Sequence, residues 1–453
     1  MQKNEMRSLL ERYDVPCPRY TSYPTVPYWD DPPATGDWIS SLNKAFESGN
    51  TPYSLYLHIP FCETLCTYCG CNTKITKNHN KELPYVEKLL KEWQLYLEKV
   101  PALSGAPLKQ IHLGGGTPTF LSADNLKDLL APIMQAASID SDEFEGSIEI
   151  DPRTTKPGQL ETLRELGFKR VSLGVQDFDP KVQKMVHRIQ PFDMTKDVTD
   201  RARALGYNSV NFDLIYGLPG QTIESIEHTA RCTIELMPDR IALYSLAIVP
   251  WIKPAQRSFK DEDLPKSNEK RALYERAREL LLAAGYIEVG MDHFSLKNDA
   301  LNQSFDDKSL HRNFMGYTDQ RSDVMIGLGV SSISESPDCF HQNEKELPRY
   351  EERIECGEIP TLRGHMLTEE DRVHRQQILN FMTQYEVEFI DAQQRADVDE
   401  FLATMQADEL VEIDDMRLKL TEKGRPFLRN ACMAFDQRLR DSKSNDLVFS
   451  QSI

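Results

Sequence analysis

The stretch SLYLHIPFCETLCTYCGCN, residues 54–72, runs from a short apolar segment straight into a crowd of cysteines. The apolar run reads as a β-strand ending at Ile59, and Cys62, Cys66, Cys69 and Cys71 follow on one loop. Their spacing is C-x3-C-x2-C-x-C. A structural zinc site uses two C-x2-C pairs on separate turns, and the second pair is missing here. The C-x2-C-x2-C-x3-C-P run of bacterial ferredoxins is absent as well. Three thiolates at x3 and x2 spacing suit three irons of one cubane and leave the fourth iron without a protein ligand. Cys71 lies only two residues beyond Cys69, too short a tether to reach the opposite corner. A metal with an open position is a site for chemistry. The other cysteines, Cys17, Cys232, Cys339, Cys356 and Cys432, are scattered, which is no disulfide framework.

Outward from this loop, short apolar runs alternate with amphipathic helical patterns. The runs lie at 54–59, 110–115, 147–151, 170–175, 209–215 and 240–246. Strand–helix repetition of this kind implies right-handed βαβ crossovers and a parallel sheet. Six units are too few for an eight-unit barrel; an open or partial barrel fits, with a doubly wound sheet as the alternative. Residues 1–50 read as a Pro- and aromatic-rich arm, without helical period before DWISSLNKAFESG (37–49). Residues 299–325 look loop-like, and 325–334 return to a buried strand pattern. Two helical periods, a turn at Asp414–Asp415 and a further helix suggest a winged-helix-like module after a boundary near 360–367. The expected division is therefore an arm over residues 1–50, a partial barrel with extension over 51–360, and a small, mostly helical domain over 361–453.

The chain has 453 residues, 53 Lys and Arg against 71 Asp and Glu, and a net charge of −18. That balance argues against a general binder of nucleic acid or acidic membranes. The amino terminus is polar and no apolar run reaches membrane-spanning length, so a cytoplasmic protein is expected. Gly114-Gly115-Gly116-Thr117-Pro118 closes the second run and lets backbone groups approach a ligand closely. It does not match the G-x-G-x-x-G of a dinucleotide site. Glu149, Asp151, Gln176, Asp213 and Ala247 are placed at the carboxyl ends of successive strands, where a barrel carries its chemistry.

The motifs HIPFC, YCGCN, HLGGGTPT, SIEIDPR, LGVQDF, DLIYGLPGQ, GMDHF and LHRNFMGYT occur in order across the chain, between PRYTSYPT (18–25) and RNACMAFD (429–436). In this set the sequence resembles the oxygen-independent coproporphyrinogen III oxidases (coproporphyrinogen dehydrogenases) of the radical S-adenosylmethionine superfamily. The resemblance implies an α/β fold with a partial (β/α)6-type radical SAM barrel. It implies a [4Fe–4S] cluster on Cys62, Cys66 and Cys69, with Cys71 not a ligand, and two molecules of S-adenosylmethionine. By motif position Tyr56, Gly115, Glu149 and Ile333 contact one of them, and Tyr68, Gly116, Thr117, Gln176, Arg188, Asp213 and Ala247 the other. The implied reaction is anaerobic decarboxylation of two propionates of coproporphyrinogen III to vinyl groups, giving protoporphyrinogen IX for haem biosynthesis. 5′-Deoxyadenosyl radicals carry it, and no protein residue acts as nucleophile or base.

The substrate's carboxylates call for basic partners, and Arg19, Arg153, Arg188 and Arg312 are candidates. A low-potential electron donor such as flavodoxin or ferredoxin is expected, and a monomer. The alternative on the same barrel is a haem chaperone that binds haem without decarboxylating anything. Two segments depart from the family pattern. SLAIVPW replaces a common Tyr-Ala-His, leaving Leu246 and Ile248 without the phenol and imidazole, and His187-Arg188 replaces a common Asn-Arg.

Overall fold

The six apolar runs form six strands, β1 (Tyr53–Ile59), β2 (Leu108–Gly115), β3 (Glu145–Ile150), β4 (Phe168–Gln176), β5 (Ser209–Tyr216) and β6 (Arg240–Ser245). The computed structural model describes residues 2–29, 35–441 and 449. Each of these strands pairs in parallel with the next. Spatial order therefore follows chain order without the reversal that a doubly wound sheet makes at its switch point. The winding is that of a barrel. Beyond β6 the sheet continues antiparallel through β8 (His293–Leu296) to β7 (Tyr286–Val289). A separate hairpin, β9 (His311–Asn313) with β10 (Gly316–Thr318), follows. On the other flank β11 (Val324–Leu328) joins β1 in parallel, and β12 (Ile333–Glu335), β13 (Cys339–Asn343) and β14 (Thr361–Met366) extend it antiparallel. The sheet ends at β14 and β7, so the barrel stays open.

Strand periodicity sorts the two faces. Leu55, Leu57, Ile111, Leu113, Ile148, Val171, Leu173, Val210, Phe212 and Leu214 are buried in the core shared with the surrounding helices. The alternate residues His112, Ser147, Glu149, Ser172, Asn211 and Asp213 are polar and line a cavity inside the barrel. Closed barrels fill this space with layers of apolar side chains; here it is left for ligands. At the opposite end from the cysteine loop, Arg170 donates to Glu145 at 2.8 Å, and Arg240 donates to Asp299 and Asp319 at 2.6 and 2.8 Å. The side chains of Arg240, Asp299 and Asp319 are 4 to 6 % exposed, so this ion network closes the barrel floor.

The segment 299–325, expected to be a loop, contains a helix at Ala300–Asp306 and the β9–β10 hairpin. Elements this short carry too few residues to show a period. The amino-terminal arm also departs from expectation, because Gln2–Tyr13 is a helix. Its apolar face is small, and what holds it is distant in sequence. Leu9, Leu10, Cys17, Tyr20 and Tyr23 share a core with Phe381, Leu402, Phe427, Cys432 and Phe435. Arg429 donates to the carbonyls of Pro18 and Cys17, and Tyr20 donates to Asp436 at 3.0 Å. The helix at Thr35–Ala45 packs instead on the barrel core through Trp38 and Leu42. The carboxyl-terminal region alternates a helix (Glu369–Gln384), β15 (Glu386–Glu388), a helix (Ala392–Ala407) and the hairpin β16 (Val411–Asp414)–β17 (Arg417–Leu420). Its sheet order β15-β17-β16 gives the winged-helix arrangement. Residues 30–34 of the arm and most residues after 441 lie outside the described residues.

Candidate active site

Cys62, Cys66 and Cys69 all line the barrel cavity, whose volume is about 510 Å³. The loop that carries them is fixed by backbone pairing of Phe61 and Cys62 with Lys74 and Ile75. The Thr117 N–H donates to the Phe61 carbonyl at 2.9 Å, which ties the loop to the end of β2. Among the described residues no three His, Cys, Asp or Glu side chains converge on the point that a single metal ion occupies. A cubane cluster asks for a different arrangement, one thiolate on each of three irons. Free, soft thiols on one loop facing a polar cavity meet that need.

The thiols are not equivalent. Burial pushes the Cys62 thiol up to about 11, against a contact with Thr117 Oγ1 at 3.3 Å. Cys69 is lowered to about 6, first by a hydrogen bond from the Cys71 thiol, with further help from Lys253 and Arg188. Cys71 runs the other way, its thiol pushed well up by that same hydrogen bond and then by burial. Two guanidiniums approach Cys66 Sγ, Arg153 at 3.4 Å and Arg188 at 3.6 Å. Both also hold Asp151, Arg153 through two nitrogens and Arg188 at 3.1 Å. Burial opposes ionisation of Asp151, yet Arg188 and Arg153 outweigh it and keep the carboxyl below its ordinary range. The clamp aims positive charge at the place where thiolates gather.

The glycine run shows why it has no side chains. Gly115 has φ +112°, and a Cβ there sits 2.6 Å from the His58 ring. At Gly116 a Cβ sits 2.7 Å from the Pro60 carbonyl oxygen. The strand end is thus pressed directly against the base of the cysteine loop. The Gly115 N–H donates to Glu149 at 3.2 Å, and His112 Nε2 lies 3.4 Å from the same carboxylate. Burial raises Glu149, but the His112 hydrogen bond and charge and the Gly115 N–H bring it below its ordinary value. His58 Nε2 faces the Asn72 carbonyl at 3.0 Å and must carry the proton there. Its Nδ1 then accepts from the Tyr56 hydroxyl, also at 3.0 Å. Asp213 is different again. Burial, and then the charge of Glu149, push its carboxyl up to about 6, while Ser172 and Asn211 donate to it at 2.8 and 2.9 Å.

Tyr68, Gly115, Gly116, Thr117, Glu149, Gln176, Arg188, Asp213 and Ala247 line the same cavity as the three cysteines. Tyr56 stands one layer behind, stacked on His112 with centroids 6.0 Å apart. Ile333 lies on β12 beside Trp29 and Phe340, its carbonyl against Gly327, the strand partner of Tyr56, and like Tyr56 it is not part of the cavity lining. Asp213 is placed in the middle of β5 and not at its end, because the strand runs on to Tyr216. The sequence reading missed His112, Ser172 and Asn211, although each occupies an inward position of a strand and carries the alternation that could have found it.

A profile of the radical SAM superfamily matches residues 56–233. The oxygen-independent coproporphyrinogen III oxidase of Pseudomonas aeruginosa is 38% identical over 441 residues, covering 95% of each chain. The Escherichia coli K12 protein of the same name is 36% identical and covers 98% of each. A solved structure described as "Coproporphyrinogen III oxidase (HemN) from Escherichia coli is a Radical SAM enzyme" superposes with a TM-score of 0.88 at 36% identity. It covers 93% of this chain and 97% of that one. The chain belongs to the oxygen-independent coproporphyrinogen III oxidases.

Within this family of coproporphyrinogen III oxidases, the structure explains both departures from the common pattern. Leu246 is buried with Val182, Val186 and Leu218, and Tyr68 and Ile248 pack against that group. An apolar contact under Tyr68 thus stands where the family often has a phenol and an imidazole. His187 has φ +55°. Asn, common at this position in the family, and His are among the side chains that most readily accept the left-handed region.

Proposed function

We propose that this protein carries out the oxygen-independent oxidation of coproporphyrinogen III in haem biosynthesis, converting two propionates to vinyl groups and giving protoporphyrinogen IX. The observation that carries this reading is likeness along nearly the whole chain, arm and carboxyl-terminal domain included, with the cysteine loop open to the barrel cavity. A bound [4Fe–4S] cluster with S-adenosylmethionine supplies hydrogen-atom abstraction from an unactivated C–H bond. Cys62, Cys66 and Cys69 hold the cluster, and Cys71 stays off it. Tyr56, Gly115, Glu149 and Ile333 attend one S-adenosylmethionine. Tyr68, Gly116, Thr117, Gln176, Arg188, Asp213 and Ala247 attend a second. Glu149, held ionised by its donors, accepts from an ammonium or ribose hydroxyl.

The four candidate arginines divide into two pairs. Arg153 and Arg188 are already engaged by Asp151. Arg19, on the arm, reaches the cavity wall and donates to the Ser245 carbonyl at 3.1 Å. Arg312 lies over the Tyr317 ring at 4.5 Å, with Nε and Nη1 buried and unpartnered. Neither makes an ion pair among the described residues; Arg19, which lines the cavity, is the one left to receive a propionate, while Arg312 stands behind Tyr317, outside the cavity lining. The arm that brings Arg19 to the cavity also excludes water from the reacting carbon. The protein works as a monomer in the cytoplasm and draws electrons from a low-potential donor.

The test is anaerobic. Reconstituted protein with dithionite, S-adenosylmethionine and coproporphyrinogen III is expected to give protoporphyrinogen IX and 5′-deoxyadenosine. Cofactor cleavage without tetrapyrrole product rejects the reading. Cys66→Ala is expected to lose iron and activity together, and Cys71→Ala to keep both.

A further inference from the structure

Three segments frame the mouth of the barrel: 62–77 with the cysteines, 181–189 leading into and past Arg188, and 249–257 after β6. They hold on to one another. The Thr67 N–H donates to the Val186 carbonyl at 3.2 Å, Gln256 donates to the Tyr68 carbonyl at 3.1 Å, and Lys253 Nζ donates to the Cys71 carbonyl at 2.8 Å. Their charges are lopsided. Besides Arg188 the three segments carry Lys74, Lys77, Lys181, Lys184, Lys253 and Arg257 but one acid, Glu63, which sits 3.3 Å from His79. None of these six cations makes an ion pair among the described residues, in a chain whose net charge is −18. Between them stand Leu65, Ile75, Ile189, Trp251 and Ile252, 42 to 61 % exposed. They are five of the twelve large apolar side chains that the described residues leave exposed, all carried by these three tied segments.

We propose that this rim is the docking surface for a small acidic protein that carries single electrons at low potential. The inference rests on the function proposed above, which consumes one electron for each S-adenosylmethionine cleaved. That electron passes from the reduced carrier to the group held by Cys62, Cys66 and Cys69; the carrier is oxidised by one electron and the group reduced by one. An apolar centre ringed by charge is the common anatomy of a protein interface, with an exposed Trp as its typical anchor. Unpaired cations steer an acidic partner to the rim and set its orientation. The cysteine loop forms part of the rim itself, so a partner seated there comes within short range of the thiols.

Two ways of reducing the protein separate docking from chemistry. Variants Lys74→Glu/Lys77→Glu, Lys181→Glu/Lys184→Glu and Trp251→Ala/Ile252→Ala are compared with the parent, using reduced flavodoxin in one arm and dithionite in the other. With flavodoxin at low ionic strength, 5′-deoxyadenosine formation by the charge variants is expected to fall about ten-fold or more. Added salt should slow the parent and leave those variants almost unaffected. The dithionite-driven rate should equal that of the parent. An unchanged flavodoxin-driven rate in all three variants overturns the proposal. So does a parallel loss in both arms with a raised KM for coproporphyrinogen III, which assigns the rim to the substrate. A parent that makes no tetrapyrrole product with dithionite overturns the functional reading itself, and the docking surface with it.

Discussion

Gly115, at φ +112° with the His58 ring 2.6 Å from where a Cβ would stand, is the position least open to change in the site. Gly115→Ala forces a left-handed alanine and a clash with an imidazole already tied to Tyr56 and Asn72, at a cost of about 2–5 kcal/mol. The apoprotein is expected to melt several degrees lower, and an unchanged Tm defeats the argument. Asp213 runs the other way. Its carboxyl is pushed up to about 6 in the folded chain, so on raising the pH the unfolded chain ionises first and stability falls between about pH 4 and pH 6. Asp213→Asn removes this slope. It should stabilise the apoprotein at pH 7.5 by up to about 3 kcal/mol while weakening S-adenosylmethionine binding. Urea unfolding of both proteins across pH 4 to 8 checks the first part, and equilibrium binding the second. Residues of this kind were legible in part. The cysteines, Gly115 and Glu149 stand out by spacing and by position at strand ends. The depth of Asp213 did not, because the apolar run through Ile215 and Tyr216 hides where the strand stops.

Among the elements, the six parallel strands could be read directly, since each buries one apolar face against helices and shows that alternation locally. The helix at Gln2–Tyr13 could not, because its partners lie at the far end of the chain. Arm and carboxyl-terminal segment meet through buried polar contacts as well as apolar ones. Tyr20→Phe strips a hydrogen bond from Asp436, which is fully buried, and should cost about 1–3 kcal/mol. Hydrogen exchange is the sharper test. Residues 17–24 and 429–436 are expected to open together, as one cooperative unit, and to lose protection together in the variant. Independent exchange of the two segments counts against a shared core.

Taken as a whole, the molecule is a barrel with chemistry at one end and an ion network at the other. The floor shows what the loop-like reading of 299–325 concealed, since Asp299 and Asp319 from that segment neutralise Arg240. Burial opposes ionisation of Asp319, but Arg240 and Arg170 hold its carboxyl below the ordinary range. Its contribution is therefore present at neutral pH and is lost as the pH falls through that lowered value. Asp319→Asn leaves Arg240 with Asp299 alone and should cost about 1.5–3 kcal/mol at pH 7 in urea unfolding, a difference that shrinks below about pH 4. A variant as stable as the parent at pH 7 refutes this account of the floor. The contact between the two chain ends carries a consequence in time. Cys17 and Arg429 are 412 residues apart, so a ribosome must add that much chain after the arm before the surface that buries Cys17 exists. Until then the part of the core that the arm shares with Phe427, Cys432 and Phe435 is missing. The first segment of the chain to be made is therefore among the last to be buried.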